Sequence, residues 1–302
     1  MWLGWLIWKQ ERQAETPRHL PRGLRKACAN RRITGGKKRR TDAMNPISSQ
    51  IQYAAPLIVN DVSQCQFYHR MDIPGVGEVG GQWDLRACIR EYLGNYDFKG
   101  KRALDVGAAS GFLTFSMEKA GADVVSFEMV SGDRWDVVPQ KHVRQDPKRF
   151  TARLVEANQR LKNAYWFAHA RLQSRAKAYY GDVYEFPGEL GQFDVAVFGM
   201  IISHLRDAFR AIYSASRLVR GDLIIVNQTP EGVGAAAYFL PTVENREAMS
   251  WWIFTEECVR QMLAVIGFEV VRIVKSCPRC LVPGREGLET CDAYVARRTE
   301  LL

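Results

Sequence analysis

Long apolar runs are missing from this chain. The apolar stretch at its start, Trp2 to Trp8, falls far short of the roughly 20 residues a helix needs to cross a bilayer, so no membrane partner is expected. That stretch also precedes its basic residues, whereas a secretory leader places positive charge first. Serine is absent from residues 1–43, against the Ser-rich composition of organelle transit peptides. Excess positive charge is missing from the body of the protein, although the whole chain carries +9. Residues 1–43 hold 12 of the 42 Lys and Arg but only Glu11, Glu15 and Asp42 of the 33 acids, leaving 30 of each sign beyond them. The body is therefore no polycation, and its overall charge gives it no hold on a polyphosphate backbone. Repeats and low-complexity tracts are also lacking, which excludes solenoids and propellers. Seven cysteines, an odd number, without an export signal read as reduced thiols in a cytoplasm-like compartment.

Residues 1–43 read as a disordered tail or as a translated stretch upstream of a start at Met44, with membrane or nucleic-acid tethering as the other reading. The whole chain has 302 residues, 47% hydrophobic and 25% charged, the composition of a globular protein with one large α/β domain or two modest ones. Residues 44–98 form an irregular lead-in, with a turn at Pro74-Gly75-Val76-Gly77 and helical spacing from Trp83 to Tyr92. From Lys101 onward, strands and helices alternate, which predicts a parallel sheet with crossover helices. Strands are expected at Arg102–Val106, Val124–Glu128, Ala176–Tyr180, Asp194–Phe198 and Leu223–Val226, then a final pair at Phe268–Val274 and Asp292–Arg297. Helices are expected at Gly111–Ala120, over Phe150–Arg175, at His204–Leu218 and at Thr255–Ile266.

The densest chemical signal is Leu104-Asp105-Val106-Gly107-Ala108-Ala109-Ser110-Gly111. A buried strand must turn abruptly into a helix there, and glycines allow a ligand to lie against the backbone. The helix start offers free N–H groups and the positive end of a dipole. Glu128 ends the next strand 21 residues past Gly107, close to the offset of about 20 at which an acid accepts both ribose hydroxyls. A dinucleotide site wants Gly-x-Gly-x-x-Gly; here Ala109 intervenes, and Asp105 would sit poorly beside a pyrophosphate. An acid suits a cofactor bearing an amino group and a sulfonium charge.

In these residues the chain resembles the class I S-adenosylmethionine-dependent methyltransferases, over about residues 100–297. The resemblance implies a Rossmann-like, doubly wound α/β fold whose seven-stranded, mostly parallel sheet has helices on both faces. It implies domain limits of 1–43 for the leader, 44–98 for an N-terminal cap and 99–302 for the methyltransferase domain. Asp105, Gly107, Ala108, Ala109 and Gly111 match the family's first motif, where the methionine portion lies; Ala109 replaces a commoner Gly. Glu128 matches the acid that grips the ribose. Gly181-Asp182-Val183 matches a third motif, which implies Asp182 at the adenine amino group and Val183 near the ring. Phe193 to Phe198 matches the fourth strand. Ser203-His204-Leu205-Arg206-Asp207 looks like a segment of the branch that includes wobble-uridine tRNA modification enzymes. Implied with the cofactor S-adenosylmethionine is methyl transfer to a hydroxyl or amine. The body's lack of basic excess favours a small-molecule acceptor, with RNA the alternative and a cofactor-binding protein without catalysis a third reading. No obligate protein partner is inferred.

Outside the cofactor motifs, His204 follows the fourth strand, where open parallel sheets place their crevice, and its neutral range suits proton transfer. Its alternative is a pocket-shaping histidine at a helix start. Tyr68, His69, Trp83 and Arg86, just ahead of the domain, are candidate acceptor contacts, with packing of a cap as the alternative. Cys277-Pro278-Arg279-Cys280 with Cys291 offers three thiols, but no fourth ligand has zinc spacing, so no metal is expected.

Overall fold

Arg102–Val106 (β1), Asp123–Met129 (β2), Phe193–Gly199 (β4) and Val219–Asn227 (β5) run apolar through their middles instead of alternating, because both faces of the sheet they form are covered. The computed structural model describes residues 51–300, so the readings made for residues 1–43 and the first residues of the cap lie outside the described residues. Lys177–Gly181 (β3) closes one edge beside β2, and Phe268–Ser276 (β6) and Cys291–Arg298 (β7) complete a seven-stranded sheet in the order β3-β2-β1-β4-β5-β7-β6. β1 to β5 pair in parallel; β7 is antiparallel to both its neighbours. The order reverses between β1 and β4, and that reversal opens a crevice at the carboxyl ends of the strands.

Two apolar cores lie on the two faces. One packs Phe112–Lys119 (α2) and the middle of Pro147–Arg171 (α3) against the sheet, together with cap residues Met71, Ile73, Trp83 and Leu85 and with Tyr92 of Ile89–Tyr92 (α1). The other packs Ala208–Ser216 (α4) and Glu256–Ala264 (α5). The expected doubly wound α/β class, helices on both faces, is the fold observed. Among the described residues no helix is long and apolar enough to cross a membrane.

Local chemistry sets the helix starts. Asp146 caps α3 by accepting the Arg149 N–H at 3.0 Å, with Pro147 at the first helical position. That start lies three residues earlier than the apolar spacing indicates, because the first turn is polar. Asp207 caps α4 by accepting the Arg210 N–H, also at 3.0 Å. The helix expected from His204 therefore begins at Ala208, and His204 sits before it in the 3-10 turn Ile202–His204. The helix expected over Trp83 to Tyr92 is shorter too. Trp83–Asp84 pairs as a strand with Arg279–Cys280, and only Ile89–Tyr92 is helical. A distant strand edge outweighs local spacing there.

The cap segment is stitched down rather than draped. Gln66 N–H donates to the Arg160 carbonyl at 3.0 Å, and the Arg160 guanidinium returns bonds to the carbonyls of Ser63 and Cys65. Tyr68 N–H donates to the hydroxyl oxygen of fully buried Ser110 at 3.0 Å, tying the cap to the loop after β1. That loop ends at Gly111, which is left-handed at φ 89°. A Cβ there would meet the Phe115 and Tyr165 rings at 2.5–2.8 Å. Gly111→Ala is expected to destabilise the protein by about 2 kcal/mol or more in chemical denaturation, through strain and overpacking together. Gly188→Ala, at an ordinary φ with open space around it, is the control and should cost under about 1 kcal/mol.

Candidate functional site

β1 ends at Val106 and the chain turns through Gly107 (φ 79°), Ala109 (φ 47°) and Gly111 (φ 89°) before α2 begins. A Cβ on Gly107 would stand 2.4 Å from Cδ1 of Ile201, so glycine lets the segment after β4 close onto this loop. The loop is held to the neighbouring strand. Gly107 N–H donates to the Phe127 carbonyl at 2.8 Å, and Ala109 N–H donates to Oε2 of Glu128 at 2.8 Å. Oε1 of the same carboxylate accepts the Met129 N–H at 2.9 Å. Each oxygen thus keeps acceptor capacity for a further donor. Burial pushes the Glu128 carboxyl above its ordinary range, and the two backbone N–H groups oppose that rise.

Gly107, Ala109, Glu128, Asp182 and Val183 all line one cavity of about 650 Å³ in the crevice, with His204 also on its wall. Asp182 is exposed at the rim, and its Oδ1 accepts the Tyr184 N–H at 2.9 Å, so it is a turn residue and a wall residue at once. Three of the residues expected at the cofactor are not in the wall. Asp105, fully buried, accepts the Thr114 hydroxyl at 2.5 Å and pins the first turn of α2 from beneath the loop. Its Oδ1 has no hydrogen-bond partner among the described residues, and burial pushes its carboxyl up to about 7. Ala108 packs in the core, and Gly111 makes room for the Phe115 and Tyr165 rings. These three shape the loop from behind.

His204 is half-buried, with Nδ1 2.8 Å from the Met249 carbonyl oxygen. A carbonyl only accepts, so Nδ1 carries the proton and Nε2 keeps its lone pair. Burial holds the imidazole down to about 4, neutral at any ordinary pH. Behind it opens a second, smaller pocket of about 60 Å³, and Tyr68, Gly199, Met200 and His204 line both spaces. Met200, on that shared wall, holds φ 61°, a left-handed conformation that costs a side-chain-bearing residue about 1 kcal/mol or more. His69 and Trp83 line the smaller pocket. Arg86 does not. It makes ion pairs with Asp72, Glu78 and Asp84 at 2.7–3.0 Å, outside both spaces.

Sequence reasoning missed the outer wall. Asp136 accepts the Tyr184 hydroxyl and, at 2.9 Å, the Arg206 N–H, while its own carbonyl accepts the Trp251 indole N–H at 2.8 Å. These bonds fasten the segment after β2 to the segment after β4 across the cavity mouth. The Lys162 ammonium, over the Tyr180 ring at 4.0 Å, donates to the Val130 carbonyl and lends its charge to Glu128. No local pattern marks any of these; they meet only through folding. Cys280 and Cys291 are buried and Cys277 exposed, all as free thiols. Among the described residues no three His, Cys, Asp or Glu side chains converge to hold a metal ion.

The wall has the acceptor and the space that a nucleoside needs. Glu128 has acceptor capacity facing the space, a glycine keeps the loop backbone bare, and the volume lies in the range of small-molecule sites. No family model matches the chain, and no curated protein matches it. Solved structures do resemble it. The 1,6-didemethyltoxoflavin-N1-methyltransferase of Burkholderia thailandensis, with S-adenosylhomocysteine bound, is 19% identical with a TM-score of 0.44, over 71% of this chain and 76% of that one. The magnesium protoporphyrin IX methyltransferase of Synechocystis PCC 6803, also with S-adenosylhomocysteine, is 15% identical with a TM-score of 0.44, over 71% and 81%. An S-adenosylmethionine-dependent methyltransferase of Methanosarcina mazei is 16% identical with a TM-score of 0.43, over 68% and 95%. At these identities and scores the likeness carries no argument about the site.

Asp105 supplies a test of this geometry. Its folded pKa lies above its unfolded one, so the native state binds more protons between the two, and stability falls as pH rises through that window. Asn cannot titrate. Urea denaturation at pH 5 and pH 7 should therefore show Asp105→Asn gaining on the unsubstituted protein by roughly 2–3 kcal/mol across the interval. A constant difference at both values would place the Asp105 carboxyl in contact with water.

Proposed function

We propose that the protein is an S-adenosylmethionine-dependent methyltransferase acting on a hydroxyl or amine of a small-molecule acceptor. One observation carries the reading: a cavity of about 650 Å³ at the sheet's reversal point has the bare loop after β1, the Glu128 carboxylate, and Asp182 and Val183 after β3 on one side, and a neutral histidine on its wall. S-adenosylmethionine supplies a methyl group on a sulfonium, already a good leaving centre, so the protein's work is alignment, exclusion of water and removal of a proton.

Each wall residue then has a role. Glu128, with its orientation set by the N–H groups of Ala109 and Met129, accepts the two ribose hydroxyls through its remaining lone pairs. Asp182 accepts from the adenine amino group, and Val183 lies against the ring. His204 takes the acceptor's proton at Nε2, because Nδ1–H is held by the Met249 carbonyl. Tyr68 stands where the two spaces meet and, tied to Ser110, keeps the cap over the junction and water out. The smaller pocket favours a small acceptor, since about 60 Å³ leaves no room for a run of nucleotides.

Calorimetry with S-adenosylhomocysteine on the full chain tests the cofactor half of this reading. Binding is expected, and Glu128→Gln should weaken it at least tenfold, the loss of a charge-assisted pair of hydrogen bonds. Mass spectrometry of small molecules released from the purified protein should find S-adenosylmethionine, its carboxylated variant or the demethylated product; a nicotinamide dinucleotide in their place would defeat the proposal. His204→Ala should lower turnover well over tenfold while cofactor affinity is kept. Unchanged turnover would remove it as the base.

A further inference from the structure

The smaller pocket differs in chemistry from the cavity it joins. The outer cavity has Asp133, Arg134, Asp136 and Arg206 around its mouth besides Glu128 and Asp182. The inner pocket, among the described residues, is lined by no Asp, Glu, Lys or Arg at all. Its walls are the rings of Tyr68, Trp83, Tyr92 and Trp252, with Leu240 and Ile253 between them. An anionic or cationic group entering would surrender its hydration without meeting a counter-charge, a cost of several kcal/mol. A flat, uncharged ring meets matching surfaces on several sides.

Polarity inside this uncharged shell comes from Ser203, Asn227, Gln228 and Ser250 and from two imidazoles. His204 presents the Nε2 lone pair already described. His69 is 7% exposed, and its Nδ1 has no hydrogen-bond partner among the described residues. Tyr68 and Phe112 hold the His69 ring at centroid distances of 4.8 and 5.5 Å. Burial alone drives His69 down to about 3, so it too stays neutral. Its Nδ1 has almost no accessible surface, so the His69 ring serves as an uncharged part of the wall and not as a hydrogen-bond partner for a ligand. The Tyr68 hydroxyl takes a hydrogen bond from Trp83, which fixes its position at the junction.

We propose that the inner pocket, with its opening at Tyr68, is the acceptor subsite and takes the edge of an uncharged aromatic or heteroaromatic ring, whose hydroxyl or ring N–H is held at Nε2 of His204. This rests on the methyl-transfer reading for its reaction but not for its binding chemistry. In the transfer, the acceptor's oxygen or nitrogen forms a bond to the donor's methyl carbon as the bond from that carbon to sulfur breaks. The electron pair of the broken bond stays on sulfur, and the acceptor's proton passes to Nε2 of His204.

Ligand-observed NMR titrations of the full chain at pH 7.5, with phenol, benzoate and cyclohexanol as probes and S-adenosylhomocysteine titrated in parallel, test the assignment. Phenol should bind at least tenfold more tightly than benzoate, which carries a charge, and than cyclohexanol, which is not flat. His204→Phe keeps a ring but removes its nitrogens, and should weaken phenol at least fivefold. Leu240→Trp, at a half-buried position on the pocket wall, should block phenol by filling the space and serves if His204→Phe fails to fold. Equal affinity for benzoate, or phenol binding untouched by both substitutions, overturns the assignment. If phenol fails to bind protein that takes S-adenosylhomocysteine, the acceptor assignment alone falls. If phenol binds and the nucleoside does not, the methyl-transfer reading falls and the neutral ring pocket stands.

Discussion

The hydrogen bond from the Ala109 N–H to the Glu128 carboxylate is the contact on which the site depends. It joins the loop after β1 to the end of β2, two segments that the sheet's reversal leaves side by side. A loop with positive φ at Gly107, Ala109 and Gly111 would otherwise have little to hold its shape at the mouth of a solvent-filled crevice. The same contact aims the carboxylate. An acid that receives N–H groups on both oxygens cannot swing away, and its remaining lone pairs face the cavity. Asp105 works from underneath, pinning α2 through Thr114, so that the helix start and the loop move as one piece. This wall is thus rigid by construction, as a site that must hold a reacting centre within a fraction of an ångström requires.

From that wall the rest of the molecule can be ordered by what it adds. The cap reaches the loop through Ser110 and the long helix through Arg160, and it delivers Tyr68, His69 and Trp83 to the inner pocket. Asp136, Tyr184, Arg206 and Trp251 clasp the outer rim. Ionic chemistry gathers at the mouth, while uncharged rings gather within. A nucleoside with charged ends suits the first environment, and a neutral planar acceptor suits the second.

How much of this the sequence reveals follows from the range of each interaction. The loop and Glu128 are legible because strand, turn, helix and next strand are consecutive, so spacing along the chain stands for spacing in space. Asp182 and Val183 rest on a motif resemblance rather than on spacing, and the fold puts both in the same wall. Arg86 misleads because its partners Asp72 and Glu78 lie on a small hairpin, Met71–Ile73 with Gly77–Val79, whose role as a charge trap no local pattern announces. Trp83 reads as helical until Cys280, nearly two hundred residues later, pairs with it. The hairpin of Ala237–Phe239 with Trp252–Phe254 is hidden by the long loop between its strands, yet the chain around its second strand brings Met249 and Ser250 to His204. Asp105 shows the limit of motif reading: the position is right and the contact is with Thr114, one layer back from the cavity.

Two features of His204 look opposed and are not. Its location and free Nε2 suit the proton-accepting role proposed for it, whereas burial leaves it a weak base, protonated only near pH 4. Strength would matter if the histidine had to strip a proton from a resting hydroxyl. Methyl transfer imposes no such demand. As the new bond to carbon forms, the acceptor atom gains positive character and its proton becomes strongly acidic, so a weak base in the right place suffices. A stronger base would be partly charged at neutral pH, and that charge would repel the sulfonium of the proposed donor. Neutrality at His204 is therefore compatible with a cationic donor on one side and an uncharged ring on the other, and the Met249 carbonyl that fixes its tautomer keeps the basic nitrogen turned toward the chemistry.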